Sequence, residues 1–495
     1  VNIVTALHDE KFFKSLFKDV STWHSWEVYL KALFGLEIED RKDRKLLKSC
    51  TGLKRSSSVR ESFVICGRRS GKSFISSIIA VYMATFKDWS KFLSPGERGY
   101  IFIIANDKSQ AKIIKDYVSG ILRSSSSFRK LVAKDLTWEV ELKNQTSIMV
   151  KTASFRTLRG YTLLAAILEE IAFWRSEESA NPDREILAAV RPSLATIPDS
   201  LLIGISTPYS KKGVLFEQFK KHYGKPGGPL VWRATTEKMN PTIDKGIIKD
   251  ALTDDPEAAR AEWKAEFRTD IETFMPPEFI EAVIIPRRFE LPKIGGLQYF
   301  GFVDPSGGRQ DSMTLGIAHR DKSKKVILDV LRENKPPFKP AVVVSEHCEI
   351  LKMYKISQIE ADRYAGEWVS SAFRDHGIKV KNSELTASEI YLSFLPLVAN
   401  KTVELLDSKR LKVQLAGLER RTRPGGKDSV THLPGSHDDV ANAAAGACVM
   451  VGKRRPTVRI RAVTSGSDID RDDYGDNYDE IEGGRPDGKW TPLKP

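Results

Sequence analysis

The sequence predicts an α/β protein in which two sheet-based units follow one another. Three observations carry the prediction. From residue 61 to about 265, short apolar runs alternate with helical patterns, as expected of a mostly parallel sheet with helices on both faces. Several of those runs end in charged or hydroxyl residues, and such sheets bind ligands at the carboxyl ends of their strands. After a stretch at 266–295 that holds four prolines, a second series of strand-like runs begins at Tyr299.

Residues 1–60 read as a helical, basic segment. Trp23, Trp26, Tyr29, Leu30 and Leu33 recur at helical spacing, which marks an amphipathic face, and RKDRKLLKS (41–49) with Lys54 and Arg55 forms a basic approach. An aromatic of this segment either packs in the core or stacks on a base. In 61–265, Phe63-Val64-Ile65 reads as a buried strand, and Phe74, Ile75, Ile78 and Ile79 as the face of a helix that follows a glycine-bearing turn. YIFIIA (100–105) is a second strand, followed by the helical SQAKIIKDYVSGIL. Residues 138–140 and 147–151 suggest a hairpin. LLAAIL (163–168) is a strand ending in Glu169-Glu170, and LLIGI (201–205) one ending in Ser206-Thr207-Pro208. Residues 266–295 read as a linker and 296–452 as the second unit. There 299–303 leads into Asp304, 314–319 and 325–330 continue as strands, 356–360 ends near Asp362, and a helix follows His437-Asp438-Asp439. From 453 the chain is first basic, then acidic and glycine-rich with few aliphatics, and is expected to be disordered to residue 495.

A chain of 495 residues accommodates two to four domains, and 41% apolar with 29% charged residues is the balance of a soluble globular protein. No run of about 18 apolar residues exists, and the first residues lack the charged-then-apolar order of a signal peptide, so a cytoplasmic protein without membrane contact is expected. Cys50, Cys66, Cys348 and Cys448 lie far apart and read as reduced thiols. Net charge is +13. The segment 465–484 holds eight Asp and Glu against Arg471, and without it 77 basic face 57 acidic residues, a surplus of +20. A basic body suggests a polyanionic partner, nucleic acid first.

Gly67-Arg68-Arg69-Ser70-Gly71-Lys72-Ser73, between strand and helix, is built to cradle phosphates. Backbone N–H groups point at the phosphates, Lys72 reaches the β/γ-phosphates, and the Ser73 hydroxyl ligates Mg²⁺. The usual pattern has its first glycine six residues before the lysine, where this chain has Cys66; Gly67 stands one place late. Glu169, about a hundred residues on, is assigned to Mg²⁺, and Glu170 to polarising the attacking water of ATP hydrolysis. Ser206 and Thr207 fit a sensor of the γ-phosphate. Arg68 and Arg69, or Arg156 and Arg159, are candidates for an arginine finger, and the sequence does not choose among them.

Asp304 and Asp362 at strand ends, and Asp438-Asp439 at a helix start, can converge on two divalent ions, Mg²⁺ or Mn²⁺. All-oxygen ligands suit these ions, and such a pair activates water against a phosphodiester. His437 is placed to assist as ligand or proton carrier. Small residues in GSHDDVANAAAGA let that helix pack closely on a sheet. Lys211-Lys212 and the basic 453–461 stretch are candidates for DNA contact.

With GRRSGKS, LLAAILEE, GISTPYSKKG, FVDPSGG, EADRYAG and GSHDDVANA in that order, the chain resembles the large terminase subunit of tailed double-stranded DNA bacteriophages. The resemblance spans roughly residues 20–452. It implies an N-terminal P-loop ATPase of the RecA-like, additional-strand kind and a C-terminal ribonuclease-H-like nuclease. The family's loop arginine falls on Arg68, its coupling motif on Ser206-Thr207-Pro208, and its metal carboxylates on Asp304, Asp362 and the Asp438-Asp439 pair. Glu169 stands where the family usually has Asp, and Trp23-His24-Ser25-Trp26-Glu27 lacks the glutamine of the usual adenine motif. The implied function is ATP-driven translocation of double-stranded DNA into a procapsid, with cutting of concatemeric DNA at the start and end. Implied partners are the portal protein, a small terminase subunit and further copies of the chain in a pentameric ring. The implied place is the cytoplasm of an infected bacterium. A cellular helicase-nuclease of DNA repair and a non-catalytic DNA-binding packaging factor are the alternatives.

Overall fold

The structure, a computed structural model, describes residues 1–453 apart from 56, 154–157, 159, 175–178, 180, 310, 363–366, 423–427 and 433–435. Arg156, Arg159 and the tail expected to be disordered lie outside the described residues. Among the described residues no helix is long and apolar enough to cross a membrane, and all four cysteines are free and buried.

The first sheet has eight strands: β1 (Glu61–Cys66), β2 (Gly99–Ala105), β3 (Val132–Asp135), β4 (Glu139–Leu142), β5 (Thr146–Thr152), β6 (Thr162–Glu169), β7 (Leu201–Ser206) and β8 (Leu230–Ala234). Their spatial order is β3-β4-β5-β2-β6-β7-β1-β8. All neighbours are parallel except the β3-β4-β5 edge, where the expected hairpin forms. The sheet is covered on both faces, which is why β1, β2, β6 and β7 read as continuous apolar runs rather than alternating ones. Val64 and Cys66 enter one core, Phe63 and Ile65 the other. The decisive feature is β7, which lies between the phosphate-loop strand β1 and the Glu-bearing strand β6. This is the additional-strand arrangement. Register places Glu169 beside Ile205, and Ser206 beside Ile65, so the three carboxyl ends share one rim.

The N-terminal segment is helical, at Ile3–His8, His24–Phe34 and Arg41–Thr51. Its aromatic face is core: Trp26 and Tyr29 are buried.

The stretch read as a linker is built into the fold. It holds β9 (Ile271–Thr273) and a short helix, Pro277–Glu281. Met275 and Ile280 are buried under the second sheet. Two of the four prolines that suggested a linker, Pro276 and Pro277, sit at the entry to that helix, where a missing N–H costs nothing.

The second sheet comprises β10 (Tyr299–Asp304), β11 (Met313–Arg320), β12 (Val326–Asn334), β13 (Gln358–Ala361), β14 (Lys379–Asn382) and β15 (Val403–Glu404), ordered β14-β13-β10-β11-β12-β15. The first three strands form an antiparallel meander, and β13 and β14 add in parallel beside β10. That order, strands 3-2-1-4-5 of the unit, is ribonuclease-H-like. A third, small sheet joins β9 to a hairpin of β16 (Leu418–Thr422) and β17 (Asp428–His432). Both large sheets belong to one compact unit, Val1–Lys453.

Helix Asp439–Lys453 lies across β10, β11 and β12 at a distance only glycine permits. A Cβ on Gly446 would fall 2.5 Å from the Phe302 ring, and one on Gly316 would meet the Ala443 carbonyl oxygen. Overpacking of this kind costs about 1–3 kcal/mol. Gly316→Ala should therefore lower stability to urea by about that amount, whereas Gly295→Ala, with open space around the added Cβ, should leave the midpoint unchanged; equal midpoints for the two variants would contradict the packing.

Candidate active sites

The phosphate loop is fixed from three sides. Gly71 takes φ +85° at the start of helix Lys72–Thr85, and a Cβ there would lie 2.6 Å from the Trp23 ring. The Trp26 indole N–H donates to the Ser70 carbonyl at 2.7 Å, and the Ser70 hydroxyl closes the loop on the Gly67 carbonyl at 2.7 Å. The displaced glycine also has a physical reason. A Cβ on Gly67 would meet the Thr236 hydroxyl and the Glu262 and Trp263 carbonyls, so the closely packed position is 67.

The Lys72 ammonium, 7% exposed, joins all three strand ends. It donates to the Gly67 carbonyl at 3.1 Å and to the Thr207 hydroxyl at 2.8 Å, and lies 3.4 Å from the Glu170 carboxylate. Glu170 Oε2 accepts from the Ser206 hydroxyl at 3.0 Å and the Thr207 N–H at 3.1 Å. Its backbone is left-handed (φ 51°), an unusual state for a non-glycine residue, and is tied down by its N–H on the Ile205 carbonyl at 2.7 Å.

Glu169 is fully buried. Its Oε2 accepts from the Ser73 hydroxyl at 3.2 Å, while Oε1, with the Ser76 hydroxyl nearby, has no hydrogen bond of normal geometry among the described residues. Burial, with the Glu170 charge adding to it, pushes the Glu169 carboxyl up to about 7. An orphaned carboxylate oxygen next to a serine hydroxyl fits a magnesium ion, which prefers oxygen ligands, so glutamate in place of aspartate keeps the donor chemistry.

Arg68 is exposed and turned away: its guanidinium pairs with Glu262 at 3.0 Å. Arg69 is exposed, with φ 61°, and its carbonyl accepts from the Asn240 amide at 3.0 Å. The other two finger candidates fall outside the described residues.

The second constellation forms where β10, β13 and helix Asp439–Lys453 meet. Asp304 ends β10, Asp362 follows β13, and the Asp362 N–H donates to the Val303 carbonyl at 3.0 Å, which fixes the two side by side. The Asn442 amide donates to Asp304 at 2.9 Å and to Asp362 at 3.2 Å. One helical turn earlier, Asp438 accepts from the Tyr391 hydroxyl at 2.8 Å, and Asp439 from the Ser312 N–H at 3.2 Å. Desolvation, and beyond it the Asp362, Asp439 and Asp438 charges, holds the Asp304 carboxyl well above its usual range despite the Asn442 bond. Burial pushes Asp439 up to about 6. Asp304 and Asp362, joined through Asn442, and Asp438 and Asp439, whose charges act on Asp304, make an electronegative, oxygen-rich set that suits a divalent cation.

Asp311 and His437 extend this cluster. Ligand atoms of Asp311, His437 and Asp439 all lie within 4.8 Å of one another. Asp311, Asn442 and Tyr391 were not singled out in the sequence. Only Asn442 had a signal there, standing three and four residues after the Asp pair on one helix face.

In the nucleotide-free protein, Glu169 has a pH signature. Its folded-state pKa is raised from 4.5 to about 7, so the folded form holds a proton that the unfolded chain gives up. Stability should fall as pH rises from about 4.5 to 7 and level off above. Relative to wild type, Glu169→Gln should grow more stable across that window in thermal unfolding at matched pH; a constant difference from pH 5 to 8 would contradict the assignment.

No protein-family model and no curated protein sequence matches the chain. Among solved structures, the fold is similar to the large terminase of bacteriophage HK97, with 12% identity, 91% of this chain and 99% of that one covered, and a TM-score of 0.40. The ATPase domain of the Thermus phage P74-26 large terminase, in a mutant form, matches at 18% identity over 48% of this chain and 98% of its own, with a TM-score of 0.32. The large terminase nuclease of thermophilic phage G20c matches at 14% identity over 34% of this chain and 94% of its own, with a TM-score of 0.31. Superposition this loose leaves function to be read from the two sites themselves.

Proposed function

We propose that the chain is a DNA-packaging motor-nuclease of the large terminase kind. Residues 61–265 hydrolyse ATP to move double-stranded DNA, residues 296–452 cut it, and residues 1–60 brace the ATPase. The observation that carries the reading is the pairing of two phosphate-directed sites in one compact unit. One has a buried lysine fastened to a carboxylate pair; the other has four converging aspartates.

In the first site Lys72 exchanges its contacts with Gly67, Thr207 and Glu170 for the β/γ-phosphates of ATP, and backbone N–H groups from Gly67 to Ser73 cradle them. Ser73 and Glu169 hold Mg²⁺. Glu170, positioned by Ser206 and Thr207, orients the attacking water. Loss of the γ-phosphate returns Lys72 to Thr207, so the β7 terminus senses the nucleotide state. Arg68 reaches a phosphate only after leaving Glu262.

In the second site Asp304, Asp362, Asp438 and Asp439 hold two divalent ions, Mg²⁺ or Mn²⁺. Bound there, the ions supply Lewis acidity that activates water and stabilises the leaving oxygen. Asn442 spaces Asp304 and Asp362, and Tyr391 orients Asp438. The basic surplus suits backbone contacts that serve a motor on any sequence. The working form is a ring, a pentamer, on the portal of a procapsid in the bacterial cytoplasm, with a small terminase subunit choosing the DNA.

Two substitutions separate the sites. Lys72→Ala should lower ATP hydrolysis on the order of 10²–10³-fold and leave Mn²⁺-dependent plasmid cleavage intact. Asp304→Ala should do the reverse. Wild-type protein that never cuts with either metal would remove the nuclease half of the proposal. Hydrolysis unaffected by Lys72→Ala would remove the motor half and leave a DNA-binding factor.

A further inference from the structure

A cavity of about 640 Å³ lies between the two large sheets. One wall is the segment just after the Ser206-Thr207-Pro208 motif, running into helix Gly213–His222. The other is helix Lys409–Ala416 with His432, Ser436 and His437. The first wall carries Arg184, Lys211, Lys212 and Lys220. Arg184 is paired with Glu217, and Lys212 with buried Glu419 at 2.8 Å. Lys211 and Lys220 are both exposed, and among the described residues no hydrogen bond or ion pair engages either of them. Two cations therefore face the cavity with their charge unspent.

The far end of the same cavity is lined by His432 and His437. His432 lies 3.7 Å from Asp438, and His437 lies 3.4 Å from Asp311. The cavity thus runs from a pair of unengaged lysines to the rim of the four-aspartate cluster. Phe216 and Pro277 are among its apolar lining residues and give a base a surface to rest on. The volume is that of sites for small organic ligands, about 300–1,000 Å³. It suits a few nucleotides of one strand rather than a duplex.

We propose that this cleft is a single-strand nucleic-acid site. Lys211 and Lys220 hold backbone phosphates of the strand whose scissile bond lies among the aspartates. The proposal rests on the nuclease reading for its far end. Its own content is the ligand, one strand of DNA, and the two lysines that select it by charge. Both are positioning residues.

The test uses the full chain and the double variant Lys211→Glu/Lys220→Glu, with matched thermal unfolding midpoints as the control for folding. A ten-nucleotide single-stranded DNA is titrated in Ca²⁺, which permits binding without cutting, at several salt concentrations. The variant should bind at least about tenfold more weakly, and its log K should fall less steeply with log salt by about 1.4 for the two lost phosphate contacts on a single strand. In Mn²⁺ its KM for plasmid cleavage should rise with kcat held. Oligonucleotide affinity equal to wild type, or a fall in kcat at unchanged KM, would overturn the proposal. The nuclease reading fails separately: a wild-type protein that binds the oligonucleotide through these lysines yet never cuts would keep the cleft and lose the chemistry.

Discussion

The structure of the first unit turns on one buried cation. The Lys72 ammonium has given up water, and what replaces it is a carbonyl of the phosphate loop, a hydroxyl from the end of β7 and a carboxylate from the end of β6. Such a charge is tolerated only while it is paired and hydrogen-bonded. The ends of β1, β6 and β7 must therefore stay together. That constraint gives meaning to β7's place between the other two strands, because the middle strand alone can present Ser206 and Thr207 to both. In the proposed function a nucleotide phosphate competes for the same ammonium, and both Glu170 and the β7 terminus lose a contact when it binds.

That terminus does not end in solvent. Tyr209, two residues past Thr207, donates its hydroxyl to buried Glu419 on β16 at 2.8 Å, and the Arg268 N–H meets the Tyr209 carbonyl at 2.7 Å. β16 pairs with β17, whose last residue His432 approaches Asp438. A chain of contacts thus leads from the phosphate loop to Asp438, its last link the 3.7 Å approach of His432. In the second unit the corresponding constraint is desolvation, with like charges adding to it. The sheet and a helix that glycines allow to sit deep bury Asp304 beside the other aspartates, and burial first, then their charges, hold its carboxyl well above the usual range.

Much of this was legible in the sequence, for identifiable reasons. Strands buried on both faces announce themselves as unbroken apolar runs, and polar residues at their ends mark the binding rim. Phosphate loop, Glu169-Glu170 and Asp304 could be read that way. Strand order could not, because periodicity says which residues are buried but not which strand lies beside which; an additional strand was implied only by the family resemblance, and the fold shows that it is β7. The shift of the first loop glycine to Gly67 was likewise opaque, since Thr236 and Glu262, which crowd it, are far along the chain. The linker reading failed at Pro276 and Pro277, where proline opens a helix instead of separating domains. Asp311 and Tyr391 join the aspartates from other elements, with no local spacing to betray them.

The central claim is that one chain holds two separate, metal-assisted phosphate sites. Anomalous diffraction from crystals grown with Mn²⁺ and a non-hydrolysable ATP analogue tests it most directly. One manganese should appear between Ser73 and Glu169, and two more, about 4 Å apart, among Asp304, Asp362 and the Asp438-Asp439 pair. Manganese confined to Asp311, His437 and Asp439, with none reaching Asp304, would contradict the two-metal nuclease. None at Glu169 with the nucleotide bound would contradict its assignment in the ATPase.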